Sequence, residues 1–510
     1  RIIYILCSLI HCTQNLNIEQ FISNRIFKKT GKISRPIVKL ATLGVVLGVC
    51  VMFISLSILI GFRAEIQSKI IGFGSHIQIS KISSSPNAEL EKIQFDPEII
   101  QQIKAFDFVD HIQIYATKGA LIENEEGLEG VIVKGVSENY NWDFFESHLV
   151  EGRIIHFNDS TASNEILISR ILADKLNVQL NEKTNVYFIN STEDFRIRKL
   201  KIVGIYSTDL SEIDAQQVIG DIRHIRKINN WGLAANLLVR DSLDKGVFVM
   251  AGAFGGDGSY KYSWNNNLEG PGPHYLSQAE ADGTFVIVND ESNTLPDTAH
   301  IAFQSAENKF YWDEKRSEGS YDQYIGGYEV MLNDISDLEE KQIAIDHSVS
   351  YDLTSTNFES LNRELFSWLE MIGVNARIII ILMVIVAIVN MTSTIIIIIL
   401  EKTKLIGLLK ALGSSNWSIR KIFLINASKM ILKGIFWGNT IAISLLLLQK
   451  HFSLIKLNAE SYSISEVPVG LKWDYFFYLD LGIFFICILV LIIPSWIISH
   501  MNPVKSLRFD

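Results

Sequence analysis

The chain has 510 residues, 48% of them hydrophobic and 20% charged, with a formal net charge of −10 and a mean hydropathy of +0.21. A soluble protein of this length splits into several domains and is less apolar on average. An acidic balance without a basic stripe interleaved with aromatics excludes nucleic acid as a partner.

The apolar residues concentrate near residue 50 and again after residue 377, and the long middle is polar. This is the composition of a membrane protein with one large water-exposed domain. Residues 1–16 hold an apolar stretch too short to span a bilayer. It reads either as a signal peptide or as read-through ahead of a natural start near Asn17, and we expect the second. The cysteines are Cys7, Cys12, Cys50 and Cys487, none of them in the polar middle, so a disulfide framework there is excluded.

Four spans are expected. Residues 40–62 and 377–400 contain uncharged runs long enough to cross about 30 Å of hydrocarbon. Residues 422–449 are apolar but carry Lys429 and Lys433 in their first half, where both can snorkel to the nearer interface. Residues 481–500 form the fourth, preceded by Trp473, Tyr475, Phe476, Phe477 and Tyr478 as an aromatic belt.

Arg25, Lys28, Lys29, Lys32, Arg35 and Lys39 precede the first span. Lys402, Lys404, Lys410, Arg420 and Lys421 separate the second from the third, and Lys505 and Arg508 follow the fourth. The positive-inside rule makes 1–39, 401–421 and 501–510 cytoplasmic, and leaves 63–376 and the loop 450–480 outside.

In the exposed domain His76–Ile82, Val109–Tyr115, Gly130–Val136, Arg198–Tyr206 and Tyr328–Leu332 read as strands. Glu165–Leu176, Asp221–Ile228 and Asp334–Asp346 read as helices, so the domain is α+β. Residues 232–323 are rich in Gly, Asn, Ser and aromatics, with short runs such as Val247–Met250 and Thr284–Val288. They read as a small all-β module or a loosely ordered insertion. Gly252, Gly255, Gly256 and Gly258 make a flexible turn, since no Lys-Ser/Thr follows them.

Four stretches carry a family resemblance: LGVVLGVCVMFISLSILIGFRAEIQSKIIGFGSHIQI (Leu43–Ile79), VEGRIIHFNDSTASNEILISRILADKLNV (Val150–Val178), LEKTKLIGLLKALGSSNWSIRKIFL (Leu400–Leu424) and the ending Asn502–Arg508. Together they resemble the Lol-type lipoprotein-releasing ABC permeases, within the superfamily of macrolide exporters and the FtsX-type cell-division permease. The first stretch, with Lys69, Ile70, Gly72 and Phe73 before His76-Ile77, carries the lipoprotein branch. The insertion 232–323 is a departure from that pattern.

The resemblance implies four transmembrane α-helices with a large α+β extracytoplasmic domain between helices 1 and 2, in a bacterial inner membrane, with both termini cytoplasmic. It implies a permease without catalytic residues, metal or bound cofactor, working with a separate ABC ATPase that holds ATP and Mg. The 510 residues contain no Gly-x-x-x-x-Gly-Lys-Ser/Thr match.

The segment implied to dock on that ATPase contains Glu401, Lys402, Leu405, Ile406, Gly407, Leu409, Lys410, Ala411 and Gly413. Leu408 and Leu412 continue its apolar stripe, and Gly407 is expected to admit the partner closely. A membrane-surface amphipathic helix is the alternative. Asn390, Thr392, Ser393 and Thr394 in the second span are read as packing groups, and His224 as a surface helix residue.

Val51, Ile54, Leu56, Ile60 and Phe62 are the expected lipid-contacting face. The other implied partners are a second permease copy or paralogue, a lipoprotein substrate and a periplasmic carrier. Activation of a cell-wall hydrolase and macrolide-type efflux are the competing functions.

Overall fold

The computed structural model describes residues 34–82, 90–123, 127–158, 161–189, 195–241, 246–256, 258–291, 295–306, 309–315, 323–458 and 464–496, together with 19 and 498. Cys7, Cys12, the start near Asn17, Arg25, Lys28, Lys29, Lys32 and the ending Asn502–Arg508 lie outside them. The chain forms two compact units, one of residues 1–66, 364–457 and 465–510, the other of residues 67–363 and 458–464.

In the first unit four helices are long and apolar enough to cross a membrane: Ser34–Gly74, Arg363–Glu401, Asn416–Phe452 and Trp473–Ser495. Each except the fourth outruns its apolar run at both ends, because helical backbone pairing continues unchanged where hydrocarbon gives way to water. The fourth starts at Trp473 rather than Leu481, so the aromatic belt is its own first turns and the connecting loop shrinks to residues 453–472. Trp473, Phe477 and Tyr478 stay exposed, while Phe476 turns inward and stacks on Phe53 at 3.8 Å.

The four helices share one apolar core. Ala41, Val45, Val49 and Met52 supply it from the first helix, Met391, Ile395 and Ile399 from the second, and Phe423, Ala427 and Ile431 from the third. Ile483, Cys487 and Leu491 supply it from the fourth. The recurring four-residue step sets these residues in one ridge per helix.

Gly434 and Gly438 on the third helix let the first approach closely. A Cβ at Gly438 would come within 2.9 Å of the Val46 carbonyl oxygen and of Val49 Cβ. This is a small-xxx-small contact, which stands in for the hydrophobic drive that lipid removes. Gly438→Leu is expected to destabilise the unit by about 1–3 kcal/mol through overpacking. Gly482→Leu is the control, since a Cβ there meets nothing within 4 Å. Thermal unfolding of the two variants in detergent separates them, and equal midpoints would refute the contact.

Hydroxyls in these helices bond to their own backbone. Thr394 Oγ1 donates to the Asn390 carbonyl at 2.8 Å and Ser444 Oγ to the Thr440 carbonyl at 2.7 Å, which removes the cost of a bare hydroxyl in hydrocarbon.

The second unit is built on a ten-stranded sheet. In chain order its strands are β1 (Ile77–Lys81), β3 (Val109–Glu123), β4 (Leu128–Val136), β5 (Leu149–Gly152), β6 (Glu165–Ser169), β7 (Lys183–Ile189), β8 (Phe195–Tyr206), β9 (Gln217–Asp221), β18 (Gly327–Leu332) and β19 (Leu353–Asn357). The short β2 (Ile93–Gln94) and β17 (Tyr324–Ile325) pair beside it. The spatial order is β19-β1-β18-β3-β4-β9-β6-β8-β5. Because β7 pairs with both β3 and β8, the strands β3, β4, β9, β6, β8 and β7 close into a ring around Ala120, Ile122, Val131, Val133, Ile166, Ile168, Val186 and Ile202.

Three local readings change. Glu165–Leu176 is not one helix, since Glu165–Ser169 is strand β6 and only Arg170–Leu176 is helical. The strand sits between β8 and β9, buried on both faces, and two-sided burial erases the alternation that marks a strand. Ser169 then caps the helix, its Oγ accepting the Leu172 amide at 3.0 Å. Asp334–Asp346 is helical only over Leu338–Asp346, because Asp334 and Ser336 bond to each other in a turn and Asp337 is left-handed at φ 54°.

His224 is not a surface residue. Its helix, Ile222–Ile228, is capped by Asp221, and its ring is buried with Nε2 at 2.9 Å from the Ser163 carbonyl.

Residues 232–323 form two antiparallel sheets of their own. The first is β10 (Leu233–Asp241), β11 (Gly246–Gly255) and β13 (His274–Ser277). The second is β12 (Tyr260–Trp264), β14 (Phe285–Asp290), β15 (Asp297–Ala306) and β16 (Lys309–Lys315). Leu237, Val247 and Val249 of one sheet meet Trp264, Val286, Val288 and Ile301 of the other in a separate core. Gly255 and Gly256 end β11 with φ of 83° and 63°, a turn that residues with a Cβ resist.

Candidate functional site

The helix begun at Ser34 ends at Gly74, and the second unit is built around that end. Ile70 and Phe73 are buried, one helical turn apart. Phe73 lies 5.4 Å from Phe144, 5.6 Å from Phe145 and 6.0 Å from Tyr206. Gly72 packs so closely on the Phe144 ring that a Cβ there would overlap it. Lys69, 5% exposed, lies 3.9 Å from Asp209. Lys69, Ile70, Gly72 and Phe73 are therefore packing residues of this domain.

Beside it lies a buried ion pair. Lys134 of β4 and Glu329 of β18 meet at 2.6 Å with side chains 3% and 0% exposed. Lys134 Nζ also donates to the Phe73 carbonyl, one of the last in the helix. Both the carboxylate and the negative helix end favour a cation there. Glu329 Oε2 accepts from Gln113 Nε2 at 2.8 Å, and its Oε1 accepts from Gln78 Nε2 at 3.4 Å. Gln78 Oε1 accepts the Tyr115 hydroxyl at 3.0 Å, and Gln113 Oε1 accepts the Asn141 amide at 2.9 Å. Burial and then the Glu329 charge push the Tyr115 and Tyr140 phenols far above their ordinary range, so both stay neutral. The network ties the end of the helix to β1, β3, β4 and β18 at one point.

His76, two residues past the helix, accepts the Leu332 amide on Nδ1 at 3.1 Å. Burial, and then the Lys341 charge, lower its pKa from 6.5 to about 4. The unfolded chain therefore binds the proton more readily, so stability is full above pH 6.5 and is lost as pH falls toward 4. The full linkage is on the order of 3 kcal/mol, and the open side of the ring reduces it to roughly 2 kcal/mol. Unfolding midpoints of wild type and His76→Gln between pH 7 and pH 4 check this. The variant is expected to lose the steeper part of the acid dependence.

A second candidate lies between the second and third spanning helices. After Glu401 a short helix covers Thr403–Ala411. Gly413, at φ 85°, ends it, with the Ser414 amide returning to the Leu409 carbonyl at 3.0 Å. Ser415 caps the next helix by accepting the Ser418 amide at 3.1 Å.

The short helix has two sides. Ile406 and Gly407 are buried and Leu409 packs on the same inner core, so Gly407 is closed within the chain rather than open to a partner. Leu405 is half-buried, and Glu401 and Lys402 pair with each other at 3.0 Å. The outward side is Lys404, Leu408, Ala411 and Leu412, followed by Trp417. Leu412 is 74% exposed and Trp417 59%.

Residues 40–250 match the MacB-like periplasmic core domain, and residues 377–503 match the FtsX-like permease C-terminal domain. The chain is an ABC-type permease of the FtsX/MacB superfamily.

Two solved structures are similar to parts of the chain. The extracellular domain of the noncanonic ABC-type transporter YknZ from Gram-positive bacteria is 18% identical, covers 30% of this chain and 75% of its own, and superposes with a TM-score of 0.21. The periplasmic region of MacB from Actinobacillus actinomycetemcomitans is 9% identical, covers 58% of this chain and 95% of its own, and superposes with a TM-score of 0.28. No curated protein matches the chain.

Of the residues expected to contact lipid, Val51, Ile54, Leu56 and Ile60 are half-buried. Phe62 is 7% exposed, closed inside the chain. Ile54 and Leu56 pack on Phe53, Ala442 and Phe476, and Ile60 lies against Gly470, leaving Val51 half-buried beside them. The outward stripe of the first helix is Leu40, Leu43 and Leu47. Helical parity from Leu40 was the available signal for it. Lys134 and Glu329 had a weaker one, a lone charge inside each of two apolar strands, GVIVKGV and GYEVML.

Proposed function

We propose that this permease extracts lipoproteins from a bacterial inner membrane and passes them to a soluble periplasmic carrier, driven by ATP and Mg on a separate ABC ATPase. The observation that carries the reading is the uninterrupted helix Ser34–Gly74, which contains most of the stretch resembling lipoprotein-releasing permeases and uses its Gly72-Phe73 signature for packing. ATP binding moves Thr403–Ala411, and the spanning helices shift against one another. The termini and residues 401–421 are cytoplasmic in this scheme, and residues 63–376 face the periplasm.

Acyl chains need an aliphatic path, since moving them into water costs about 0.8 kcal/mol per CH₂. The first helix offers Leu40, Leu43 and Leu47. The second offers Ile378, Ile381, Leu382 and Ile385, with 11% of its most apolar window buried in the chain. A second copy or a paralogue faces that helix and completes the path.

Reconstitution with the candidate ATPase, a triacylated lipoprotein and a soluble carrier tests the reading. ATP-dependent transfer of lipoprotein to the carrier supports it. ATP hydrolysis without transfer rejects it in favour of efflux or hydrolase activation. The second of these draws support from the two-sheet module at 232–323, which has a core of its own.

A further inference from the structure

One polar pair inside the spanning unit has no part in this scheme. Asn439 lies on the third spanning helix and Asp480 on the fourth, and Asn439 Nδ2 donates to Asp480 Oδ2 at 2.6 Å. The remaining oxygens, Asn439 Oδ1 and Asp480 Oδ1, are both buried, and neither has a hydrogen-bond partner among the described residues. The nearby hydroxyls are spent elsewhere, Thr440 on the Phe436 carbonyl and Ser444 on the Thr440 carbonyl.

Two buried acceptors on the two halves of one pair, each without a protein donor among the described residues, are a double cost. An ionised carboxylate inside a spanning helix adds a charge penalty to that. Near the pair the third helix carries Lys429, Lys433, Lys450 and His451, the fourth carries Asp474, Tyr475, Tyr478 and Cys487, and Cys50 of the first packs beside both. The one side-chain hydrogen bond that Asp480 makes among the described residues is the one from Asn439.

We infer that Asn439 and Asp480 form a proton-binding site that clamps the third and fourth spanning helices, with the proton on Asp480 Oδ1 donated to Asn439 Oδ1. A carboxylic acid and a primary amide are complementary in this way: N–H to carbonyl oxygen along one edge, O–H to carbonyl oxygen along the other. One proton satisfies both orphans, removes the charge and closes a cyclic double hydrogen bond between two helices. A bound sodium ion would also meet the oxygens, but hard cations take about six oxygen ligands and only these two are orphaned here.

Infrared spectroscopy of the full chain in lipid nanodiscs at neutral pH tests this. The wild type minus Asp480→Asn difference is expected to show the carbonyl band of a protonated carboxylic acid that shifts in D₂O. Carboxylate bands in its place overturn the proposal, and so does an acid band that appears only when sodium is withdrawn. Asp480→Asn keeps an amide–amide pair and is expected to unfold at the wild-type midpoint, whereas Asn439→Leu and Asp480→Leu lower it. A midpoint for Asp480→Asn as low as for Asp480→Leu also counts against the proton. If Asp480→Asn does not fold, the wild-type acid band alone, followed as pH is raised until it converts to carboxylate, gives the same decision.

Discussion

Glu329→Ala is expected to cost about 3–5 kcal/mol, because it leaves the Lys134 ammonium buried with its charge uncompensated. The loss exceeds the net worth of the ion pair. Placing both charges in the interior costs several kcal/mol per ion, which their attraction and the bonds to Gln113, Gln78 and the Phe73 carbonyl offset. Removing one charge keeps the cost and discards the offset. Lys134→Met is expected to fall in the same range, with Glu329 then stranded.

The double variant Lys134→Met/Glu329→Leu removes both penalties and is expected to recover more than half of either single loss. Full recovery is not expected, since the Phe73 carbonyl and Gln113 lose partners. Unfolding of the four proteins in detergent gives the coupling energy. Single variants that unfold like wild type would show that water reaches the pair and that the helix end is not held there. Proteolysis after residue 74 gives a local reading, with faster cleavage expected in both single variants.

Leu408→Asp/Leu412→Asp is expected to abolish ATP-driven activity while the permease stays folded. Leu408 and Leu412 are 49% and 74% exposed and four residues apart on the outward side of Thr403–Ala411. Two carboxylates there disturb no packing in the chain. If this side docks in the ATPase, burying them costs at least about 2 kcal/mol, roughly a 30-fold loss of affinity. Leu409→Asp is the informative contrast. Leu409 packs against the spanning core, so its variant loses stability along with activity and cannot isolate the coupling step. ATPase binding and ATP-dependent turnover, measured beside unfolding midpoints, separate the two cases. A double variant that couples normally would return this helix to the alternative of a surface element resting on lipid.

Much of this was legible from residue order because it depends on local periodicity. Hydrocarbon-length apolar runs marked all four spans, and Asp221 marked a helix start. Length, apolarity and capping act within a few residues, so the chain carries them in plain order.

Tertiary structure decided whatever depends on a partner distant in sequence. Glu165–Ser169 became a strand because β8 and β9 were there to pair with it. Lys134 shares a face of β4 with the exposed Ile132, yet it is buried because the end of the first helix covers it. Which leucines of the helix Thr403–Ala411 point out, and that Asp480 meets Asn439, 41 residues before it, depend likewise on helices brought together by the fold. The sequence determined which segments enter the membrane, since transfer free energy is summed along the chain. The fold determined which side chains face one another, since burial of a charge or a glycine's close approach exists only once two distant segments are in contact.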